Sequence, residues 1–165
     1  MLGLALVLAA PAGWAQLGAS VSVENDKTDI APGENTTLLI SLTNSDESNP
    51  ISGVTWSDVK LPGTLPNALV SAGAPTFDPG SCGGTVAFDT DHQALDLSGA
   101  QIPAKSGGND GLCVIRVPVT AGTSNGAQAS HTFNIPSGKV TGTLNGSPVQ
   151  NQGSVNQTIT VKSVG

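Results

Sequence analysis

The chain has 165 residues and a net charge of −6, and only 11% of its residues are charged. Its six basic residues are scattered, so the sequence lacks the basic footprint that nucleic-acid binding or electrostatic contact with a membrane surface requires. One domain is expected from this length. The 21 Gly and 11 Pro, with many Thr, Ser, Asn and Val, are typical of an all-β protein built from short strands.

The chain opens with MLGLALVLAAPAGWAQ, an apolar run followed by the small residues Gly13 and Ala15. This order predicts a secretory signal peptide at residues 1–15 and a mature domain at residues 16–165. The segment departs from the usual pattern because no Lys or Arg precedes the apolar run. A short membrane anchor is the alternative, but about ten to fourteen apolar residues are too few for a helix that spans a bilayer. We therefore expect a secreted or cell-surface protein with no membrane insertion after cleavage.

Short strand patterns, separated by turn signals, occupy the rest of the chain. Residues 19–23, ASVSV, alternate between polar and apolar. After the Pro32-Gly33 turn, Leu38, Ile40 and Leu42 alternate with Thr37, Leu39 and Ser41. Asn145-Gly146 favours a tight hairpin, whose two central residues need positive φ. The eight to ten strands predicted in this way indicate a β-sandwich or a barrel. Apolar strand positions form the predicted core: Leu38, Ile40, Leu42, Trp56, Phe88, Ile115 and Val117.

Cys82 and Cys113 are the only cysteines in the chain. In an oxidising compartment two lone cysteines usually pair. A bond between them would close a loop of about thirty residues and stabilise the fold by about 3–4 kcal/mol. Two buried free thiols are the alternative. A catalytic thiol is disfavoured because no histidine accompanies either cysteine in a pattern typical of a Cys/His site.

Six segments carry a resemblance to a known family. DIAPGENTTLLISLTN, GVTWSDVKLPG, CGGTV, LSGAQIPA, CVIRVPVTAG and NIPSGKVTG follow in this order between about residue 19 and residue 162. The series resembles the immunoglobulin-like repeat modules of secreted and cell-surface bacterial proteins, a conserved-repeat family of unknown function. The resemblance implies an immunoglobulin-like β-sandwich of about 8–10 short strands that acts as a stalk, spacer or adhesive module. It also supports the Cys82–Cys113 pair and implies no catalytic residues.

Few side chains are candidates for chemistry. Asp89, Asp91 and Asp96 offer the oxygens that calcium prefers, but their spacing matches no complete calcium loop, so solvated turn residues are the favoured interpretation. His92 and His131 lie in different segments and lack convergent partners for metal binding or acid–base work. We therefore predict no cofactor, no metal and no enzymatic activity.

The first strand is the remaining candidate, as an interaction segment made of Ala19, Ser20, Val21, Ser22 and Val23. Edge strands of a sandwich carry unpaired N–H and C=O groups, and a strand that swings out can add to a neighbour's sheet. The alternative is that this strand folds back on its own domain. The function expected is an exported structural or adhesive module that binds protein, including copies of itself through strand edges. The other possibility is a subunit of an extracellular filament, assembled by β-strand addition through the first strand.

Overall fold

The computed structural model describes residues 17–64, 67–78, 82–89, 93–121 and 129–162. The predicted signal peptide, residues 1–15, lies outside the described residues. Within the described part of the chain, no helix is long and apolar enough to cross a membrane.

A 3₁₀ turn covers Glu24–Asp26, and several expected strands are divided into shorter ones, so there are more strands than predicted. The strands are β1 (Leu17–Val23), β2 (Asp29–Ile30), β3 (Asn35–Asn44), β4 (Ile51–Lys60), β5 (Gly63–Thr64), β6 (Asn67–Ser71), β7 (Thr76–Asp78), β8 (Thr85–Phe88), β9 (Ala94–Ile102), β10 (Gly111–Ala121), β11 (Ala129–Ile135), β12 (Thr141–Leu144), β13 (Ser147–Gln150) and β14 (Val155–Val161).

These strands form two packed layers. The first layer has the order β1-β3-β10-β6-β5, and β7 also pairs with β10. The second layer contains a five-stranded sheet, β13-β12-β4-β9-β8, and a three-stranded sheet, β11-β14-β2. These two sheets are neighbours in the same layer. The chain passes from β11 to β12 and from β13 to β14, and β11 contacts β4. The prediction of an all-β, immunoglobulin-like sandwich is therefore confirmed.

The antiparallel pair β3–β10 lies at the centre of the first layer. Its register places Ile40 opposite Ile115 and Leu38 opposite Val117, and these side chains point into the core. Successive strand residues face opposite sides of a sheet, which explains the alternating sequence pattern. Six of the seven predicted core residues are buried. Phe88 is instead half-buried, because β8 is the last strand of its sheet.

Three bulges shape the pair β4–β9. The register shifts three times along this pair, and each shift contains one residue with positive φ: Gly53 (φ 60°), Gly99 (φ 67°) and Asp58 (φ 57°). Bulges of this kind bend a strand and increase its twist. The predicted core anchor Trp56 lies between them, and its indole N–H donates to the Leu95 carbonyl at 3.0 Å. The ring therefore fixes the bulged strand pair on the core.

The terminal strands close one side of the sandwich. β1 pairs with β3 in the first layer, and β2 then pairs with β14 in the second, in the parallel orientation. Thr160 N–H donates to the Thr28 carbonyl at 2.7 Å, and Lys162 N–H donates to the Ile30 carbonyl at 2.8 Å. β1 and β2 together therefore join the two layers, with Leu17 beside Asn44 at one pole and Val161 beside Ile30 at the other.

A disulfide between Cys82 and Cys113 ties the layers together on the other side. Cys113 belongs to β10 in the first layer, and Cys82 comes just before β8 in the second. Their Cα atoms are 5.8 Å apart. The predicted pairing is thus confirmed, and the alternative of two free thiols does not apply.

Two buried asparagines fasten loops to strand ends. Asn44 is fully buried, and its amide nitrogen lies within 3.4 Å of the carbonyls of Asn49, Ile102 and Pro103. Its side-chain oxygen accepts the Asp46 N–H at 3.0 Å. Asn151 acts similarly between β13 and β14, where it accepts from the Val140 N–H and donates to the carbonyls of Pro136 and Gly153. Buried polar groups are stable in a core only when they are hydrogen-bonded in this way.

The disulfide should contribute strongly to the stability of the fold. Cys82 and Cys113 are 31 residues apart in sequence, and for a loop of this size chain entropy predicts about 3–4 kcal/mol. We expect the double variant Cys82→Ala/Cys113→Ala to lose about that free energy of unfolding, measured by urea titration. Reduction of the wild-type protein is the control and should give a similar loss. An unchanged urea midpoint in both would contradict this role.

Asn44→Ala should destabilise the protein by about 2–3 kcal/mol, because it leaves several buried backbone groups without partners. Asn156→Ala is the matched control, since Asn156 is exposed on β14 and should change stability by less than about 0.5 kcal/mol. Urea unfolding of both variants measures the difference. Equal effects of the two substitutions would show that the buried hydrogen bonds of Asn44 do not hold this end of the fold.

Candidate interaction surfaces

The predicted interaction segment, Ala19 to Val23, lies within β1. All seven residues of β1 pair with β3, and Leu17 and Val23 are buried. β14 also lies beside β1. The strand therefore folds back on its own domain, and its release would expose two buried apolar side chains. The use of this segment as a donor strand stays a prediction.

Two of the three carboxylates considered for calcium, Asp89 and Asp96, accept hydrogen bonds from the backbone. Asp89 Oδ1 accepts the N–H groups of Gln93 at 3.3 Å and Ala94 at 3.2 Å, which shapes the connection from β8 to β9. Asp96 Oδ1 accepts the Asp58 N–H at 2.7 Å and so supports one of the bulges. Asp91 lies outside the described residues. Among the residues that are described, no group of three or more acidic, histidine or cysteine side chains is arranged to hold a metal ion.

Arg116 forms the main ion-pair cluster on the outer face of the first layer. Its guanidinium is 2.6 Å from Glu24 Oε1 and 3.4 Å from Asp78 Oδ2, so it links the 3₁₀ turn and β7 to β10. The hydrogen bond to Glu24 is the main cause that raises the pKa of Arg116 above its usual value. Leu112 lies on the same face of β10, and its exposed fraction is 53%. In the part of the chain that the structure describes, this face carries the paired Arg116 and the exposed large apolar side chain of Leu112.

A cleft opens between the layers beside the edge strand β8. It has a volume of about 420 Å³ and separates β8 from the corner that connects β6 to β7. Val86 and Phe88 line it from β8, with side chains that are only partly buried against the core. The opposite wall and the rest of the lining are Ser71, Gly73, Ala74, Pro75 and Ala87. None of these residues was predicted to belong to a site, and Phe88 was predicted as a core residue.

A second, more polar groove of about 350 Å³ lies where β4 and β11 diverge. Lys60 and Lys139, two of the six basic residues of the chain, reach this groove. The ammonium of Lys60 is 4.0 Å from Asp58 Oδ2, but both side chains are well exposed and such a pair contributes little stability. The remaining lining residues are Val59, Thr132, Asn134 and Pro136. The groove can accept hydrogen-bonding or anionic groups at its surface.

His131 lies on β11 opposite Ile159, on the face that also buries Phe133. Partial burial disfavours the charged imidazolium and lowers the pKa of His131. A base with a lowered pKa in the folded state takes up its proton more readily when the chain is unfolded. Its effect on stability is therefore absent above the unfolded pKa of about 6.5 and grows as the pH falls below it.

We expect the free energy of unfolding to decrease as the pH is lowered from about 7 to the pKa of His131 in the folded protein. The variant His131→Gln should show a smaller decrease. Urea unfolding across this range measures the effect. His92→Gln is the matched control, because it makes the same replacement at the other histidine of the chain. A pH dependence that only His92→Gln reduces would contradict the role of His131.

Comparison with known proteins places this fold in a family. None of the curated proteins matches the chain. Among solved structures, the chain is similar to a type II cohesin domain from the cellulosome of Acetivibrio cellulolyticus, with 17% identity and a TM-score of 0.48, over 88% of this chain and 95% of the cohesin chain. Residues 21–161 match the model of a domain of unknown function, DUF7933. Because this match runs from β1 to the end of β14, the chain belongs to the DUF7933 family.

Proposed function

We propose that this chain is an exported, non-enzymatic β-sandwich module that serves a structural or adhesive role outside the cell by binding protein. The observation that carries the proposal is the Cys82–Cys113 disulfide between the two layers. Disulfides form and persist in oxidising compartments and are rare in cytosolic proteins. The apolar run at residues 1–15, read as a removable signal peptide, supports the same route.

The way in which the fold is held together supports a mechanical or adhesive role. Covalent and hydrogen-bonded ties fix both sides of the sandwich and the loops at two strand ends: the disulfide, the β2–β14 pair, Asn44 and Asn151. A scaffold fixed in this way presents strand edges and sheet faces in constant positions, and such surfaces bind protein strands and other extended ligands. The resemblance of the ordered segments to bacterial cell-surface modules supports a location at the cell surface or in the extracellular matrix.

A second candidate is a filament subunit that donates residues 19–23 to a neighbouring copy. It is favoured by one observation: β1 ends the first sheet and is the first described strand of the chain. Donation would break the seven residue pairs between β1 and β3, so it requires an exchange in which the acceptor restores an equivalent pairing. Negative-stain microscopy separates the candidates, because regular fibres support the filament and monodisperse particles contradict it.

Thiol labelling of the protein in its source cells tests export and oxidation together. We expect the protein in the medium or on the cell surface. When it is labelled in denaturant, so that the buried Cys113 is accessible, it should give no maleimide–polyethylene glycol adduct before reduction and two adducts after it. The single variant Cys82→Ser is the control, because it leaves Cys113 without its partner and should give one adduct without reduction. Intracellular protein with two reactive thiols would contradict the proposed function.

Adhesion is tested separately, with beads that carry the purified protein. Beads coated with the oxidised module should attach to source cells or their matrix, whereas beads coated with an unrelated acidic β-sandwich should not. Protease treatment of the cells should abolish attachment if the ligand is a protein. Equal attachment of both kinds of bead would contradict an adhesive role and leave the structural role to be judged by microscopy of the matrix.

A further inference from the structure

We propose that the free edge of β8, with the cleft beside it, is the docking site for an extended strand of a partner protein. The partner strand carries alternating apolar residues and is flanked by basic residues. The inference rests on the proposed function, since it names the surface and the partner class through which the exported module binds protein. It assigns this chain the acceptor role in strand addition, whereas the filament candidate requires it to donate β1.

The backbone of β8 has the geometry that strand addition requires. Asp89 N–H donates to the Ala94 carbonyl at 2.8 Å, so this pair is a hydrogen-bonded pair of the β8–β9 ladder. In an antiparallel ladder hydrogen-bonded and non-hydrogen-bonded pairs alternate. The N–H and C=O groups of Val86 and Phe88 therefore point away from β9. Among the described strands they form the free edge of the five-stranded sheet, at which a further strand can add in register.

The side chains of β8 provide the apolar part of the site. Val86 lies opposite Leu97 and Phe88 opposite Leu95, so both belong to the inner face of the sheet. Leu95 and Leu97 are buried, whereas Val86 and Phe88 remain partly exposed at the cleft. A strand added beside β8 directs every second side chain into the 420 Å³ cleft. Apolar residues at those positions complete the cover over Phe88, which the strands in the described ranges leave partly exposed.

Other described sheet edges carry features that discourage a further strand. The edge strand β1 lies beside β14, and the edge strand β11 contacts β4. The edge strands β2 and β5 are each only two residues long. On β13, Leu144 and Ser147 are paired at the two-residue turn. The backbone of the next β13 residue, Pro148, therefore faces outward, but proline has no N–H group to donate to an added strand. β8, with the sequence TVAF, carries neither a charge nor a proline. An edge left without such protection is the expected place for an added strand.

The charges around β8 define the flanks of the partner. Asp89 follows the strand directly, and Asp96 lies opposite Ala87. The nearest cation on β10, Arg116, is already held by Glu24 and Asp78. The acidic side chains therefore attract a partner strand that is flanked by Lys or Arg to the edge of β8. A second copy fits poorly, because each copy has a net charge of −6.

Two labelled peptides test the charge and strand requirements on the full mature protein. One is Lys-Lys-Val-Thr-Val-Thr-Val-Lys-Lys, and the other has Glu in place of every Lys. By fluorescence anisotropy we expect the Lys peptide to bind about tenfold or more tightly than the Glu peptide, and to weaken as salt is raised from about 0.05 to about 0.5 M. Equal affinities, or no binding of either peptide up to its solubility limit, would overturn the proposal.

A backbone variant tests the place of binding. Val86→Pro removes an outward N–H, and proline is tolerated on an edge strand where that N–H faces solvent, so the fold should be retained. We expect affinity for the Lys peptide to fall about tenfold, the equivalent of one hydrogen bond. Val86→Thr is the matched control, because it keeps the N–H and the branched shape. Unchanged affinity in a folded Val86→Pro protein, with circular dichroism like the wild type, would overturn the proposal.

A charge variant gives an independent readout that does not disturb the backbone. Asp96→Asn keeps an oxygen that can accept the Asp58 N–H but removes one acidic charge beside β8. It should lower the affinity for the Lys peptide severalfold and reduce the ratio of the affinities for the Lys and Glu peptides. Asp29→Asn, on β2 at the opposite side, makes the same charge change and should have little effect. Equal effects of the two variants would overturn the assigned location.

The outcomes separate this inference from the proposed function on which it rests. If the protein is exported, disulfide-bonded and adhesive but binds neither peptide, the proposed function stands and the β8 docking site is contradicted. If the protein is intracellular and has reactive thiols, the proposed function is contradicted, whether or not the peptides bind. Concentration-dependent self-association that Val86→Pro abolishes would replace the basic partner with a second copy and so contradict the proposal as stated.

Discussion

The alignment of β3 with β10 fixes the rest of the sandwich. Every inward side chain of these two central strands depends on one antiparallel register, and a slip by one residue would turn the apolar face of β3 to solvent. The same register turns Cys113 toward the core, where it meets Cys82 from the opposite layer, and turns Arg116 outward toward Glu24. Core, covalent tie and surface ion pair are thus consequences of a single strand pairing.

Local sequence patterns predicted the elements whose environment is the same along their whole length. The alternation in residues 37–42 was sufficient to predict a half-buried strand with Leu38, Ile40 and Leu42 inside, and all three are buried. Asn145 and Gly146, with φ of 48° and 80°, form the predicted hairpin turn between β12 and β13. These features depend on side-chain periodicity or on the backbone freedom of one or two residues, both of which are visible in the sequence.

Features that depend on which strand becomes an edge could not be predicted from the sequence. Phe88 has the apolar character of a core residue, but its exposure is set by the end of the sheet at β8. The cleft beside it involves Pro75, which is close to β8 in space although a separate strand and the Cys82 region come between them in sequence. The bulge at Asp58 likewise depends on its partner Asp96. No local pattern contains these pairings, so the candidate site emerged only from the assembled sheets.

The parallel contact between β2 and β14 has a mechanical consequence. The β1 end of the sandwich and the β14 end lie at opposite poles, and Ile30 pairs with Val161 where the outgoing strand finishes. A force that pulls the two ends apart drives β2 and β14 past each other along their length. In that shear geometry the hydrogen bonds of Thr160 and Lys162 stretch together, instead of opening one after another as in a zipper. The domain is thereby arranged to resist extension along its long axis more strongly than peeling at its edge.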